Sequence, residues 1–280
     1  MPANVVEGTA AYIRAITGTR TPSELADRMQ ACGFSWCAIG AVWQQATTGG
    51  PIRTGLINTP EKIGRYAAAL EKRGIDTFVW GYPWLTKEAE FVTAMGRAMA
   101  VLAKPQTLLD PELGANPSKS TGKLAMQKAA DGAKKIVNGL RALPRKPLKI
   151  GMSTYGIPPR FFPLDAYLDL SLDFVGGQTY KDNATIDKSI ALFRMHMDTA
   201  PAAKHTQLVP NFGLFSETPT GGVRSKYPEE LRSHLYEFVD DPEPIDGMIG
   251  WAENFITVKQ IPVLKTFSES MRRGACLLPP

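Results

Sequence analysis

The feature that most constrains the fold is a regular alternation of short apolar segments with amphipathic segments. The apolar segments are typical of strands buried on both faces, and they occupy residues 10–16, 34–43, 75–84, 106–112, 148–155, 173–180, 207–215 and 247–253. The amphipathic segments predict helices over residues 21–31, 59–73, 87–102, 123–143, 162–170, 185–199, 228–239 and 258–271. Eight repeats of strand and helix favour an α/β fold closed into a single (β/α)8 TIM barrel over an open doubly wound sheet.

Local signals support several of these boundaries. Thr21 and Thr59 each precede a proline at a predicted helix start, and Glu24 follows Thr21 by three residues, as in a capping box. Pro210 lies inside the seventh strand signal. Because proline has no N–H for a strand ladder, it predicts a bulge or an edge position there.

The composition is that of an ordinary globular protein, with 280 residues, 44% apolar residues and 21% charged residues. A chain of this length can form one α/β barrel, and no linker-like stretch divides it, so residues 1–280 are predicted to form a single domain. The net charge of +5 arises from scattered basic residues. This pattern is typical of a solvated surface, so no nucleic-acid partner is expected; the alternative is weak attraction to a polyanion, such as nucleic acid or an anionic cell-wall polymer.

Cofactor and targeting signals are lacking. Cys32, Cys37 and Cys276 are odd in number and have no C-x-x-C spacing, which argues against a disulfide framework and a zinc site. The histidines form no H-E-x-x-H motif, so no metal and no other cofactor is expected. We see neither a basic N-terminal segment followed by an apolar core nor a run of about 18 apolar residues, so no signal peptide and no membrane span are predicted, and synthesis in a reducing cytoplasm is expected.

The strand ends indicate where a site would form, because active sites of such barrels lie at the C-terminal ends of the strands. The fourth strand signal ends in Asp110 and Glu112, whose side chains share one face if the strand extends that far. The other strand ends carry Trp43, Gln44, Tyr82, Trp84, Tyr155, Gln178, Tyr180, Asn211, Trp251, Glu253 and Asn254. Aromatic rings pack on sugar C–H groups and polar side chains bind hydroxyls, so we predict that the uncharged members bind a carbohydrate substrate.

Two carboxyl groups at one strand end suggest glycoside hydrolysis, which needs one protonated acid and one ionised carboxylate. An aromatic-walled cavity can move two pKa values apart in the way that this division requires. We assign Glu112 as the acid and Asp110 as the stabiliser, with Glu253 across the barrel as the other candidate second carboxylate. The structural alternative is that Asp110 caps the following loop while Glu112 is solvated.

Four segments resemble the strands of the phage and bacterial lysozymes of muramidase type, which are (β/α)-barrel glycoside hydrolases. The segments are Leu-Leu-Asp-Pro-Glu at 108–112, Val-Trp-Gly-Tyr-Pro-Trp at 79–84, Ile-Gly-Met-Ser-Thr-Tyr at 150–155 and Gly-Gln-Thr-Tyr at 177–180. In that family the fourth strand carries an Asp-x-Glu whose Glu is the acid. The resemblance implies cleavage of a peptidoglycan-like β-glycan by a protein that is virion-associated or released by lysis.

The chain departs from that family at two places. The family has an Asp on its first strand, where this chain has Tyr12-Ile-Arg14, and it ends with a second Asp motif for which Glu253 is the candidate replacement. A relative that cleaves another glycan therefore stays open. So does a catalytically inactive barrel that binds carbohydrate or serves as a structural component of a phage particle.

Overall fold

A computed structural model of the chain describes residues 8–16, 20–46, 52–84, 87–112, 123–159, 162–180, 185–217, 222–239 and 245–272. The strands are β1 (Gly8–Ile13), β2 (Trp36–Ala46), β3 (Ile52–Leu56), β4 (Asp76–Tyr82), β5 (Gln106–Leu109), β6 (Lys149–Tyr155), β7 (Phe174–Thr179), β8 (Gln207–Leu208), β9 (Asn211–Gly213), β10 (Phe215–Glu217), β11 (Val223–Ser225) and β12 (Gly247–Trp251). The helices are α1 (Pro22–Ala31), α2 (Pro60–Glu71), α3 (Glu88–Met99), α4 (Lys123–Arg141), α5 (Leu164–Leu168), α6 (Ile186–Thr199), α7 (Pro228–Val239) and α8 (Ile261–Arg272).

Parallel pairing closes the sheet into the predicted barrel. β1 pairs with both β2 and β12, and β4, β5, β6, β7 and β9 follow one another between these two strands. β8 and β9 are two short pieces of the seventh barrel position, and both pair with β7. The prediction of a (β/α)8 barrel is therefore confirmed.

Two of the strand ends that differ from the sequence prediction carry the candidate acidic residues. β5 ends at Leu109 rather than at Glu112: the N–H of Asp110 still donates to the carbonyl of Gly81 at 2.9 Å, but Pro111 has no N–H with which to extend the ladder. β12 ends at Trp251 rather than at residue 253, because the chain turns into the 3-10 helix Glu253–Phe255.

Two antiparallel additions were not predicted as strands. β3 pairs with the far end of β2 and forms a hairpin with it. β10 and β11 form a second, separate hairpin after the seventh barrel position. Pro210, where a bulge or an edge position was predicted, lies between β8 and β9, so the seventh strand is divided there.

The predicted helix caps form at two sites. The Thr21 side chain accepts a hydrogen bond from the backbone N–H of Glu24, whose carboxylate bonds back to Thr21, which completes a capping box. Thr59 caps α2 through the N–H of Lys62. Thr86, which directly precedes the helix predicted over residues 87–102, lies outside the described residues.

Aromatic rings fill the barrel interior near the N-terminal ends of the strands. Trp36 packs against Phe78 and Phe174 with ring centroids 5.1 Å and 5.6 Å apart. Gly151 makes room for this cluster, because a Cβ there would lie 2.1 Å from the ring of Phe174. A second and larger apolar core lies between the barrel and the helices. The buried rings of the first cluster thus fill the barrel near the N-terminal ends of its strands.

Candidate active site

A cleft of about 830 Å³ opens at the C-terminal ends of the barrel strands. It brings together the predicted residues Asp110, Glu112, Trp43, Gln44, Tyr82, Trp84, Gln178, Tyr180 and Trp251. Four further lining residues were not predicted: Arg14, Leu56, Ile57 and Trp80. Most of the residues that the strand-end rule selected therefore line one cavity.

Stacked and edge-on rings make the base of the cleft. Tyr12 lies under Trp251 and Trp80, with ring centroids 4.9 Å and 5.8 Å away. Tyr180 stacks on Trp251 at 6.1 Å with an interplanar angle of 26°. Such a rigid aromatic surface suits the C–H faces of a sugar ring.

A chain of hydrogen bonds holds Asp110 from below. The side chain of Gln178 donates through Nε2 to Oδ1 of Asp110 at 2.7 Å and to the hydroxyl of Ser153 at 3.2 Å. The amide of Asn211 donates to the same hydroxyl. Asn211 is fully buried and is not among the cleft-lining residues, so it does not have the contact with substrate that was predicted. Instead, it holds the Ser153 hydroxyl, which in turn accepts from Gln178.

Burial determines the electrostatics of the acid pair. It raises the pKa of Asp110, which is only 5% exposed, well above the ordinary value, and the charge of Glu112 raises that pKa further. Burial also raises the pKa of Glu112, and the hydrogen bond from Gln178 lowers both pKa values in part. Two carboxyls so close in a poorly solvated site do not readily ionise together, so the pair retains a proton at a pH where isolated carboxyls have lost theirs.

Glu253 lies apart from this pair, contrary to the sequence assignment. Its carboxylate pairs with the guanidinium of Arg20 at 3.1 Å, and it is not a lining residue of the cleft. Burial raises the pKa of Glu253, while the charges of Arg20 and Arg28 lower it. The physical reason for the misplacement is that β12 stops at Trp251, so strand alternation no longer sets the direction of a side chain two residues later.

Two other predicted residues also lie outside the cleft lining. The Tyr155 ring packs edge-on against Phe162, with centroids 6.2 Å apart, and its hydroxyl has no hydrogen-bond partner among the described residues. Asn254 is exposed on the 3-10 helix that follows β12. Neither side chain lines the cleft.

Gln44 lines the cleft, but its amide is occupied by the protein. Its Nε2 donates to the hydroxyl of Thr54 at 2.8 Å and to the carbonyl of Lys87 at 3.0 Å, and its Oε1 accepts from the N–H of Trp84 at 2.7 Å. The neighbouring Trp43 packs its indole over Gly55, where a Cβ would come within 2.8 Å of the ring. Gln44 therefore holds the backbone of Trp84 rather than offering its own polar atoms to a sugar.

The missed residues differ in how readily they could have been found. Trp80 precedes Tyr82 by two residues on β4, so strand alternation places both on one face. Leu56 and Ile57 belong to the end of the unpredicted hairpin strand β3 and the residue after it. Arg14 follows β1 directly and was noted only as a departure from the muramidase pattern.

Metal and thiol chemistry find no support in the described residues. Within these ranges, no three His, Cys, Asp or Glu side chains are grouped so that they could hold a metal ion. Cys32 and Cys37 are buried, and burial raises the pKa of the Cys32 thiol to about 12, so it stays protonated and unreactive. None of the described helices combines the length and the hydropathy needed to cross a membrane.

The chain matches no protein-family model, and no curated protein matches it in sequence. Solved structures do share its fold. A family GH18 chitinase from Cycas revoluta, in complex with allosamidin, superposes with a TM-score of 0.63 at 12% identity over 94% of this chain and 99% of the chitinase. The spore cortex-lytic enzyme SleL of Bacillus megaterium QM B1551 gives 0.62 at 8% identity over 95% of this chain and 75% of SleL.

A protein described as an inhibitor also shares the fold. The xylanase and α-amylase inhibitor protein XAIP-II from Scadoxus multiflorus superposes with a TM-score of 0.55 at 12% identity, covering 96% of this chain and 98% of the inhibitor. At such low identity these likenesses establish the barrel and not the activity. In fold, the chain is similar to chitinase-like (β/α)8 barrels.

Proposed function

We propose that the chain is a glycoside hydrolase that cleaves a polysaccharide of 2-acetamido sugars, with Glu112 as the general acid. The observation that carries this proposal is the acid pair, Asp110 and Glu112, with raised pKa values at the base of an aromatic-lined cleft. Raised carboxyl pKa values in a cleft are typical of catalytic groups.

Glu112 is the member of the pair better placed to meet a substrate. It lines the cleft and is partly exposed, whereas Asp110 is buried and bonded to Gln178. A protonated Glu112 donates its proton to the glycosidic oxygen as the bond from that oxygen to the sugar C1 breaks. Burial raises the pKa of both carboxyls of the pair, so a proton is available to Glu112 at a pH where an isolated glutamate has lost it.

The nucleophile has to approach from the other face of the sugar. Asp110 and Glu112 come from one short segment, so they reach a bound sugar from the same side, and Glu253 is engaged by Arg20. Among the described lining residues there is no further carboxyl. An internal nucleophile resolves this: the carbonyl oxygen of a 2-acetamido group attacks C1, as in substrate-assisted glycosidases.

Asp110 then has a defined task beside the acid. Its carboxyl oxygen can accept a hydrogen bond from the acetamido N–H and so orient that group toward C1. Water later opens the cyclic intermediate, and the Glu112 carboxylate takes up the proton that the water gives up. One residue thus serves as acid and then as base, and the pair ends the cycle with its original proton.

Glycans of this composition include chitin and bacterial peptidoglycan, and two observations support such substrates. The Asp110-Pro-Glu112 segment resembles the muramidase motif, and the fold neighbours include a chitinase and a spore cortex-lytic enzyme. With peptidoglycan as substrate, our proposal retains release by lysis or association with a virion as the route to the cell wall.

The test is release of reducing ends from chitin oligosaccharides and from peptidoglycan glycan strands. We expect Glu112→Gln to reduce the rate by about 10³-fold, in the range typical for loss of a general acid. Glu229→Gln is the matched control, because it changes an exposed carboxyl on α7 that does not line the cleft. Undiminished release by Glu112→Gln would remove Glu112 from the mechanism.

A barrel that binds glycan without cleaving it is the second candidate. The observation that favours it is the deep burial of Asp110 together with the location of Glu253 outside the cleft, which leaves one partly exposed carboxyl there among the described residues. The similarity in fold to XAIP-II is compatible with this candidate. Binding of a glycan by the wild-type protein with no release of reducing ends from any of the substrates would favour it.

A further inference from the structure

We propose that Arg14 binds a carboxylate carried by the glycan, so that the substrate is an acidic 2-acetamido glycan rather than a neutral one. This inference deepens the proposed function and rests on it for the identity of the ligand as a glycan. It concerns a residue that directly follows β1, in the Tyr12-Ile-Arg14 stretch where the chain lacks the first-strand Asp of the muramidase pattern.

Arg14 is a free cation in the cleft. It is exposed, it lines the same cavity as the acid pair, and it is the one basic side chain among the described lining residues. Its guanidinium makes no ion pair or hydrogen bond with any residue that the structure describes.

The backbone of Arg14 is held in place by a buried amide. Asn58 is only 4% exposed, and its Nδ2 donates to the carbonyls of Arg14 at 3.1 Å and Gly40 at 2.7 Å. Its Oδ1 accepts from the N–H of Ile16 at 2.9 Å. Gly40 permits this approach, because a Cβ there would lie 2.3 Å from the carbonyl oxygen of Arg14. The side chain therefore projects into the cleft from a fixed point.

The surroundings of Arg14 define the chemistry that would fit. A guanidinium binds a carboxylate through two parallel hydrogen bonds, which a neutral sugar cannot offer. Leu56, which is 51% exposed, and Ile57 line the same cleft and present apolar surface. A carboxylate on a short carbon stem attached to the sugar can use both features, with its charge on Arg14 and its stem on the apolar wall.

The test measures binding in the Glu112→Gln background, so that it does not depend on turnover. The ligands are peptidoglycan glycan strands with free carboxylates after removal of the stem peptides, the same strands with the carboxylates converted to amides, and chitin oligosaccharides of equal length. Trp43, Trp84 and Trp251 line the cleft, so tryptophan fluorescence reports binding. Arg14→Gln and Arg14→Lys are compared with Arg65→Gln, which changes an exposed arginine on α2 outside the cleft.

We expect strands with free carboxylates to bind about tenfold more tightly than the amidated strands, as for a partly solvated charge-assisted hydrogen bond. Arg14→Gln should remove this preference, Arg14→Lys should keep part of it, and Arg65→Gln should leave it unchanged. An equal loss of affinity for all three ligands in Arg14→Gln, or no preference in the starting protein, would overturn the inference.

The two proposals fail separately. A preference that depends on Arg14, in a protein whose wild type releases no reducing ends, would defeat hydrolysis and support the role of Arg14. Hydrolysis that depends on Glu112, in a protein that shows no preference for free carboxylates, would support the hydrolase and defeat the role of Arg14. Circular dichroism of each variant establishes that the fold is retained, and the Asn58 contacts predict that it is, since they use only backbone atoms of Arg14.

Discussion

Replacing Asp110 with asparagine should stabilise the protein at neutral pH, and the gain should grow as the pH rises. The substitution preserves the size of the side chain and an oxygen that can accept from Gln178, but it removes the titrating group. Burial and the Glu112 charge hold the pKa of Asp110 well above its ordinary value. In the unfolded chain the same carboxyl titrates at about 3.9.

The direction in which the free energy of unfolding changes with pH follows from the number of protons that each state binds. Between the unfolded and the native pKa of Asp110, the native state binds more protons than the unfolded state, so the free energy of unfolding falls as the pH rises. The stability that the protonated carboxyl contributes is complete below about pH 4 and is lost as the pH rises toward the native pKa. The difference in unfolding free energy between Asp110→Asn and wild type should therefore increase by up to about 1.4 kcal/mol per pH unit in that interval.

Urea unfolding of both proteins from about pH 4 to about pH 8 measures this difference, and the subtraction cancels groups that titrate alike in both. The same comparison in a Glu112→Gln background separates the part of the Asp110 pKa shift that is due to burial from the part that is due to the Glu112 charge. A difference that stays constant or shrinks with rising pH would refute the account of a buried, proton-retaining pair.

Three further predictions test other parts of the structure. Glu253→Gln should leave kcat/KM within about twofold of wild type, because the Glu253 carboxylate pairs with Arg20 outside the cleft; a loss of activity like that of Glu112→Gln would return Glu253 to the site. Gly151→Ala should cost about 3 kcal/mol or more in thermal unfolding, because its methyl group meets a buried ring, whereas Gly64→Ala on α2 should change stability by less than about 1 kcal/mol. The pH profile of kcat/KM should have an alkaline limb set by Glu112, and Gln178→Leu should move that limb to higher pH, since the Gln178 hydrogen bond lowers the Glu112 pKa; an unchanged limb would contradict this assignment.

The barrel could be predicted because its signals are local. Strands buried on both faces and helices with one apolar face leave patterns within a few residues, and α7 was predicted at its observed bounds, Pro228–Val239. The hairpin strand β3 was missed because its pairing with β2 is a tertiary contact that neither segment reveals alone. An irregularity at Pro210 could be predicted, because proline has no N–H to donate in a strand, whatever its tertiary surroundings.

The sequence could predict which residues lie at the strand ends, but not which of their side chains face the cleft. Whether a strand-end side chain faces the cleft depends on where the strand stops, and this is why Glu253 was misplaced while Trp251 was not. The positions of the cleft residues also depend on hydrogen bonds to residues that are distant in sequence. Ser153 binds Asn211 beneath the acid pair, and Asn58 fixes Arg14 above it; neither contact follows from a local pattern.

The most direct measurement of the central claim compares wild type with Glu112→Gln on two substrates that share the same 2-acetamido sugar. One is the natural glycan linkage, and the other is a nitrophenyl glycoside, whose leaving group departs without protonation. Because Glu112 supplies the proton to the leaving oxygen, kcat/KM should fall by about 10³-fold for the glycan and by much less for the nitrophenyl glycoside. Equal turnover of the glycan by both proteins would contradict the assignment of Glu112 as the catalytic acid.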